Sequence, residues 1–214
     1  MNRNKEVAES VRKIKLNLSD KTYNEMGDEC QRLNFMKGDG KPNRSGYVSA
    51  LVSSFWPYLR DGKISQKVDR VFSPREPMGN TVYVEPTRKS LDDFQSVYSF
   101  YKGKPYGAAI REMMEKFFTL QSDERERILF SSTYDRIEAA IKKKKELIVT
   151  TYDRYESKVF QYPFDPYRIC QTGDRIFNYV LGRMYRDNDG NLVTVRLSKI
   201  VGVSDAGERF TFKS

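Results

Sequence analysis

The side chains best suited to chemistry are cations and aromatic rings, interleaved along the last third of the chain: Arg154, Tyr155, Lys158, Tyr162, Tyr167, Arg168, Arg183, Arg186, Arg196 and Lys199. Guanidinium and ammonium groups take phosphate oxygens through charge-assisted hydrogen bonds, and aromatic faces stack on unpaired bases. That mixture suits a single-stranded polyanion more than a duplex. The alternatives are that about half of the tyrosines pack in the core or at its rim, and that Arg168 and Arg196 pair with Asp165, Asp174 or Glu208 in surface salt bridges.

The elements that must position these groups lie between Tyr162 and Val203. Ile176 to Arg186 is rich in β-branched, aromatic and aliphatic residues and predicts a strand, and Asn188-Asp189-Gly190 supplies a tight hairpin turn. In the return strand Val193, Val195 and Leu197 alternate with Thr194, Arg196 and Ser198, so one face is buried and the other carries an arginine and two hydroxyls. Leu147 to Thr151 enters the same sheet.

The succession FDPYRI, FNYVLG and VRLSKI resembles the WYL domain, whose pattern is a Pro-Tyr-x-Leu-like entry, a Trp-Tyr-Leu-like strand and a closing strand reading roughly Phe-Arg-Leu-Asp-Arg-Ile. The match covers about the last third of the chain. Asn178-Tyr179-Val180 stands in place of the signature tripeptide, and Ser198-Lys199 replaces Asp-Arg. The resemblance implies a small Sm-like or SH3-like β-barrel that senses ligands, often nucleic acid, in bacterial regulators and CRISPR accessory proteins. It implies Arg168 and Arg196 as the best ligand contacts, with Tyr179 from the signature position. Lys199 stands where an arginine is usual, which keeps the charge but loses the planar fork.

The 214 residues carry 38 Lys and Arg against 29 Asp and Glu, a net charge of +9 that points to a polyanionic partner. With 38% hydrophobic and 13% aromatic residues, burial can offset chain entropy. The sequence has no histidine, which removes the commonest general base and metal ligand and argues against triad or metallohydrolase chemistry. Asp187 and Asp189 belong to turn chemistry, and Cys30 and Cys170 stand far apart without a ligand pattern. The expectation is a non-enzyme with no metal and no cofactor. No apolar run resembles a signal peptide or a membrane span, which predicts a cytoplasmic protein with no membrane partner.

Towards the N-terminus, Ile14, Leu16 and Leu18 alternate with Lys13, Lys15 and Asn17, which predicts a half-buried strand with a polar outer face. Ser19 or Asp20 caps a helix running to about Phe35, and Asn43 or Ser45 caps a second that Pro57 and Gly62 close. This layout resembles the ribbon-helix-helix module of bacterial repressors, in which two strands pair and their outward side chains enter the DNA major groove. The resemblance makes Lys13, Lys15 and Asn17 the DNA-facing set. A small α+β domain with solubilising lysines is the alternative.

The layout recurs. Thr81 to Glu85 is a short alternating strand, Ser90 to Tyr101 and Tyr106 to Leu120 are helical, and GKPYGAAI answers to GKPNRSGYVSAL. The two strands are expected to pair as one antiparallel ribbon, within the chain or between two chains. The outward positions of the second strand are Thr81, Tyr83 and Glu85. Its carboxylate is unfavourable beside phosphates, so a structural or dimerising ribbon is the alternative.

The expected architecture is therefore α+β. Residues 1–62 are a ribbon-helix-helix unit, and 63–121 a degenerate second copy that makes the pair tandem and pseudo-dimeric. Residues 122–146 are a linking helix with a break near Ser131-Ser132 and a lysine run at its end, and 147–214 are a WYL domain. The expected ligand-binding set is Arg154, Tyr167, Arg168, Tyr179, Arg183, Arg196, Ser198 and Lys199. The preferred function is a regulator that binds single-stranded nucleic acid, RNA before DNA, and modulates an RNA-guided RNA nuclease of a CRISPR system, with a homodimer as one assembly. The alternative is a transcriptional repressor whose ribbon reads duplex DNA and whose WYL domain senses a ligand.

Overall fold

The computed structural model describes residues 13–62, 77–88, 90–153, 158–186 and 189–211. The fold is α+β with antiparallel sheets and, among the described residues, six α-helices. Internal contacts divide it into two units, Met1–Leu120 and Gln121–Ser214. No helix among the described residues is long and apolar enough to cross a membrane.

In the first unit, β1 (Ile14–Leu18) buries Ile14, Leu16 and Leu18 and turns Lys15 outward, as the alternation requires. Ser19 then caps α1 (Asp20–Arg32), its hydroxyl accepting from the Thr22 N–H at 3.3 Å. The helix ends three residues before Phe35, because Asn34 takes a left-handed φ of 67°. Asn43 caps α2 (Arg44–Arg60) by accepting from the Gly46 N–H at 3.0 Å. Contrary to the expectation, α2 runs through Pro57. The proline has no N–H to bond back to the Ser53 carbonyl, yet the helix continues for three more residues; the chain leaves it at Gly62, where φ is +64°.

The second copy gives β2 (Asn80–Val84), α3 (Leu91–Phe100) and α4 (Tyr106–Phe117). β1 and β2 pair antiparallel within the one chain, Ile14 opposite Val84, Leu16 opposite Val82 and Leu18 opposite Asn80. The buried sides of both strands join a core of Met26, Tyr47, Leu51, Phe94, Ile110 and Met113, all essentially inaccessible. Phe55 and Phe117, from the two second helices, meet edge to face with centroids 5.0 Å apart. α4 begins against the backbone of β1. A Cβ at Gly107 would lie 2.5 Å from the Lys15 carbonyl oxygen, so only glycine fits there unless the backbone shifts.

In the second unit the 122–146 segment folds as two helices, α5 (Ser122–Leu129) and α6 (Ser131–Lys143), with the break at Phe130 beside the two serines. Five strands follow: β3 (Lys145–Asp153), β4 (Lys158–Gln171), β5 (Asn178–Arg186), β6 (Asp189–Arg196) and β7 (Ile200–Arg209). A turn of 3-10 helix, Leu197–Lys199, links the last two. The sheet order is β6-β5-β4-β3-β7. Among the described residues β6 and β7 do not pair, so the expected barrel is not closed.

The hairpin turn also falls earlier than expected. Asp189 and Gly190 are already in β6, opposite Arg186 and Tyr185, and the loop residues 187–188 lie outside the described residues. Ile137 and Ala140 of α6 cover one face of the sheet, over Leu147, Val149, Phe164, Val180, Leu197 and Ile200. Gly182 makes room for that core, since a Cβ there would strike the Phe164 ring and the Asp165 carbonyl.

Candidate nucleic-acid interface

The face of β4, β5 and β6 opposite the core collects the predicted cations. Val180, Met184, Val193 and Val195 turn towards the core, so Tyr179, Leu181 and Arg183 of β5 turn away from it. Directly paired residues share a face, which adds Thr194 opposite Leu181, Arg196 opposite Tyr179 and Leu192 opposite Arg183. On β4, Arg168 lies opposite Leu181 and Cys170 opposite Tyr179.

Strict alternation would have put Asp165 and Arg168 on opposite faces. An extra residue between Pro166 and Arg168 shifts the register, and both then share the outer face. Three guanidinium groups, Arg168, Arg183 and Arg196, therefore stand on one surface with the Thr194 hydroxyl and the Tyr179 ring. Arg168 is exposed and makes no ion pair among the described residues. Arg196 lies over the Phe177 ring, 4.3 Å from its centroid, which orients the guanidinium. The Arg183 Nε is buried and has no hydrogen-bond partner among the described residues.

Among the described residues Arg168 pairs with none of Asp165, Asp174 and Glu208, but Asp165 lies on the same outer face, directly opposite Arg183, and its charge offsets part of the cationic surface. Asp165, buried in β4, accepts from the Tyr185 hydroxyl at 2.6 Å, and that hydrogen bond pushes the Tyr185 phenol up to about 12. Asp174 accepts from the Ile176 N–H at 3.2 Å. Burial, then the Asp165 and Glu208 charges, raise the Glu146 carboxyl above its ordinary value.

Other members of the expected set are placed differently. Ser198, assigned to the outer face with Thr194 and Arg196, is only 3% exposed. The strand ends at Arg196, and in the 3-10 turn Ser198 points inward while its N–H donates to Glu126 Oε1 at 3.2 Å. Lys199, in the same turn, is exposed. Tyr167 is the bulged residue, and its ring packs against Phe210 with centroids 5.6 Å apart, so it serves packing where an open stacking face was expected. Arg154 lies outside the described residues.

What the sequence reading missed is the support beneath this face. Glu126 of α5 is fully buried, and its carboxylate ties the start of β5 to the 3-10 turn. Asp123, one helical turn earlier, takes Arg175 through Nε at 3.2 Å and Nη2 at 3.1 Å, while the Asn178 side chain donates to the Asp123 carbonyl at 2.7 Å. Asn178 is thus a buried clamp residue at the start of β5. The only available signal was the i, i+3 spacing that puts Asp123 and Glu126 on one side of a helix with Leu129.

In the first unit, Lys13, Lys15 and Asn17 lie on the outward face of the ribbon with Thr81, Tyr83 and Glu85. Lys13 is 4.0 Å from Glu85 in an exposed pair that adds little to stability, and its ammonium stands 4.8 Å from the Tyr83 ring centroid. The Thr81 hydroxyl lies 3.1 Å from Asn17 Oδ1 and donates to it.

No family model matches the sequence, and no curated protein matches it. Among solved structures, the chain is similar to one described as the crystal structure of a CRISPR Cas-related protein, with a TM-score of 0.65 and 14% identity over 93% of this chain. The alignment covers 64% of that protein, so the present chain spans less than two thirds of its length. The proteasome accessory factor PafBC of Arthrobacter aurescens aligns over 63% of this chain and 23% of its own at 11% identity. Its TM-score of 0.34 is too low to bear on the fold. At 14% identity, the likeness to the CRISPR Cas-related protein is one of fold.

Proposed function

We propose that the chain is a non-enzymatic regulator that binds single-stranded nucleic acid, RNA before DNA, on the outer face of β4, β5 and β6. We further propose that it acts beside a CRISPR RNA-guided RNA nuclease. In this reading the second unit is a WYL domain on an open SH3-like framework, and the first a tandem ribbon-helix-helix module. The observation that carries the proposal is the convergence of Arg168, Arg183 and Arg196 with Thr194 and Tyr179 on one face, three cations against the single buried carboxylate of Asp165. The return of β7 to pair with β3 after a 3-10 turn supports the SH3-like framework. The in-chain pairing of β1 and β2 supports the tandem module. The CRISPR association draws on the fold likeness to the CRISPR Cas-related protein.

Labelled single-stranded RNA, single-stranded DNA and duplex DNA, titrated at several salt concentrations, test the proposal. The double substitution Arg168→Ala with Arg196→Ala is expected to leave the melting temperature nearly unchanged. It should lower single-strand affinity about tenfold, on the order of 1.4 kcal/mol. Parent-level affinity in the folded double variant would move the site elsewhere, first to the lysine-rich end of α6.

A further inference from the structure

We propose that the β1/β2 ribbon carries a second single-strand site of its own, in which an unpaired base stacks on Tyr83 and its flanking phosphates are taken by Lys13 and Lys15. Tyr83 is 52% exposed on a face whose opposite side is fully packed. A ring that large in water leaves contact surface open, and its neighbours on this face are Lys13, Lys15, Glu85 and the Asn17–Thr81 pair. Lys15 is its direct cross-strand neighbour, and the Lys13 ammonium sits 4.8 Å from its centroid. One step further along, Asn17 and Thr81 form a hydrogen-bonded pair able to offer donors and acceptors to a base edge.

An exposed ring flanked by cations is what sequence-tolerant binding of unpaired nucleotides uses, because every base has a face to stack; with the Lys13 ammonium over one face of Tyr83, the base takes the other. A duplex is the poorer fit. Its bases have no free faces to offer Tyr83, whereas the exposed Glu85 carboxylate, 4.0 Å from Lys13, opposes the phosphates of either kind of strand alike. The ribbon also lacks the two-fold repetition that matches half-sites. Its axis passes between Leu16 and Val82, so Lys15 and Asn17 on one strand correspond to Thr81 and Tyr83 on the other. This site stands independently of the sheet face of the second unit, because every residue in it belongs to the first.

The test separates the two faces. In the full chain carrying Arg168→Ala and Arg196→Ala, the residual affinity for a labelled oligouridylate is measured with and without Tyr83→Phe, Tyr83→Ala, and Lys13→Ala with Lys15→Ala. The same variants are titrated with duplex DNA, and thermal melting confirms that each folds. The ribbon site predicts residual single-strand binding that Tyr83→Phe retains and Tyr83→Ala lowers about tenfold. The lysine pair should reduce both the affinity and its salt dependence. Photocrosslinking of a thiouridine-substituted strand should label the peptide containing Tyr83. Loss of all single-strand binding in the arginine variant, or equal affinity for Tyr83→Ala and parent, overturns the proposal. So does a response to the lysine substitutions in duplex binding alone.

Discussion

Glu126 and Asn178, 52 residues apart in sequence, are joined twice: Glu126 Oε2 accepts from the backbone N–H of Asn178 at 2.6 Å and from its side-chain amide at 3.1 Å. The other carboxylate oxygen accepts from the Ser198 N–H, so one buried side chain holds α5, the start of β5 and the 3-10 turn in fixed relation. Arg196, on the outer face of β6, ends its strand two residues before that anchor.

Removing the carboxylate should therefore cost more than an ordinary surface change. Glu126→Ala leaves two buried backbone N–H groups and one amide without this acceptor, at about 1–3 kcal/mol for a stranded buried group, and should destabilise the second unit by about 2–4 kcal/mol. Chemical denaturation followed by circular dichroism checks this. A loss under about 1 kcal/mol would show that water replaces the carboxylate freely.

Glu146 sets a pH dependence whose sign follows from its raised carboxyl. Burial, Asp165 and Glu208 favour the protonated form in the folded chain, so that form's contribution to stability is present at acid pH and is lost as pH rises through the folded pKa. Above it the charge opposes folding. Glu146→Gln should raise the melting temperature at neutral pH, and the gain should shrink as the medium is acidified. An equal difference at both pH values would exclude Glu146 as its source.

Gly107→Ala sets two effects against each other. Alanine is the better helix former by about 1 kcal/mol. Its Cβ would lie 2.5 Å from the Lys15 carbonyl oxygen, and moving a strand backbone or a helix start costs about 1–3 kcal/mol. The clash should win, with net destabilisation of the first unit. Gly38→Ala, which meets nothing within 4 Å, is the control and should be close to neutral. Parallel thermal melts of the two variants decide it.

Much of the fold could be read where a period runs unbroken. The alternation through Ile14, Leu16 and Leu18, answered by Val82 and Val84, was enough to predict which strands pair and which side chains face out. Period alone put Arg196 on the outer face; Arg168 was expected near the same rim through the resemblance to the WYL pattern, since the alternation of β4 breaks just before it. The failures come where geometry departs from period. Leu197 and Ser198 continue the strand pattern in letters, but the backbone turns into a 3-10 helix and buries the serine. The bulge at Tyr167 changes which residues share a face, and no residue type announces it. Asp123 and Glu126 sit early in a short charged helix, where acids ordinarily complement the dipole in solvent, and their burial depends on strands more than 50 residues away.

The ribbon of β1 and β2 is closed by one chain, with roughly 60 residues of helix and connection between its strands. Assembling it is therefore a unimolecular event. A ribbon shared by two chains comes apart as the protein is diluted, whereas this one persists at any abundance, however few copies a cell holds. It also frees each strand to change alone, since a substitution in β1 is not copied into its partner.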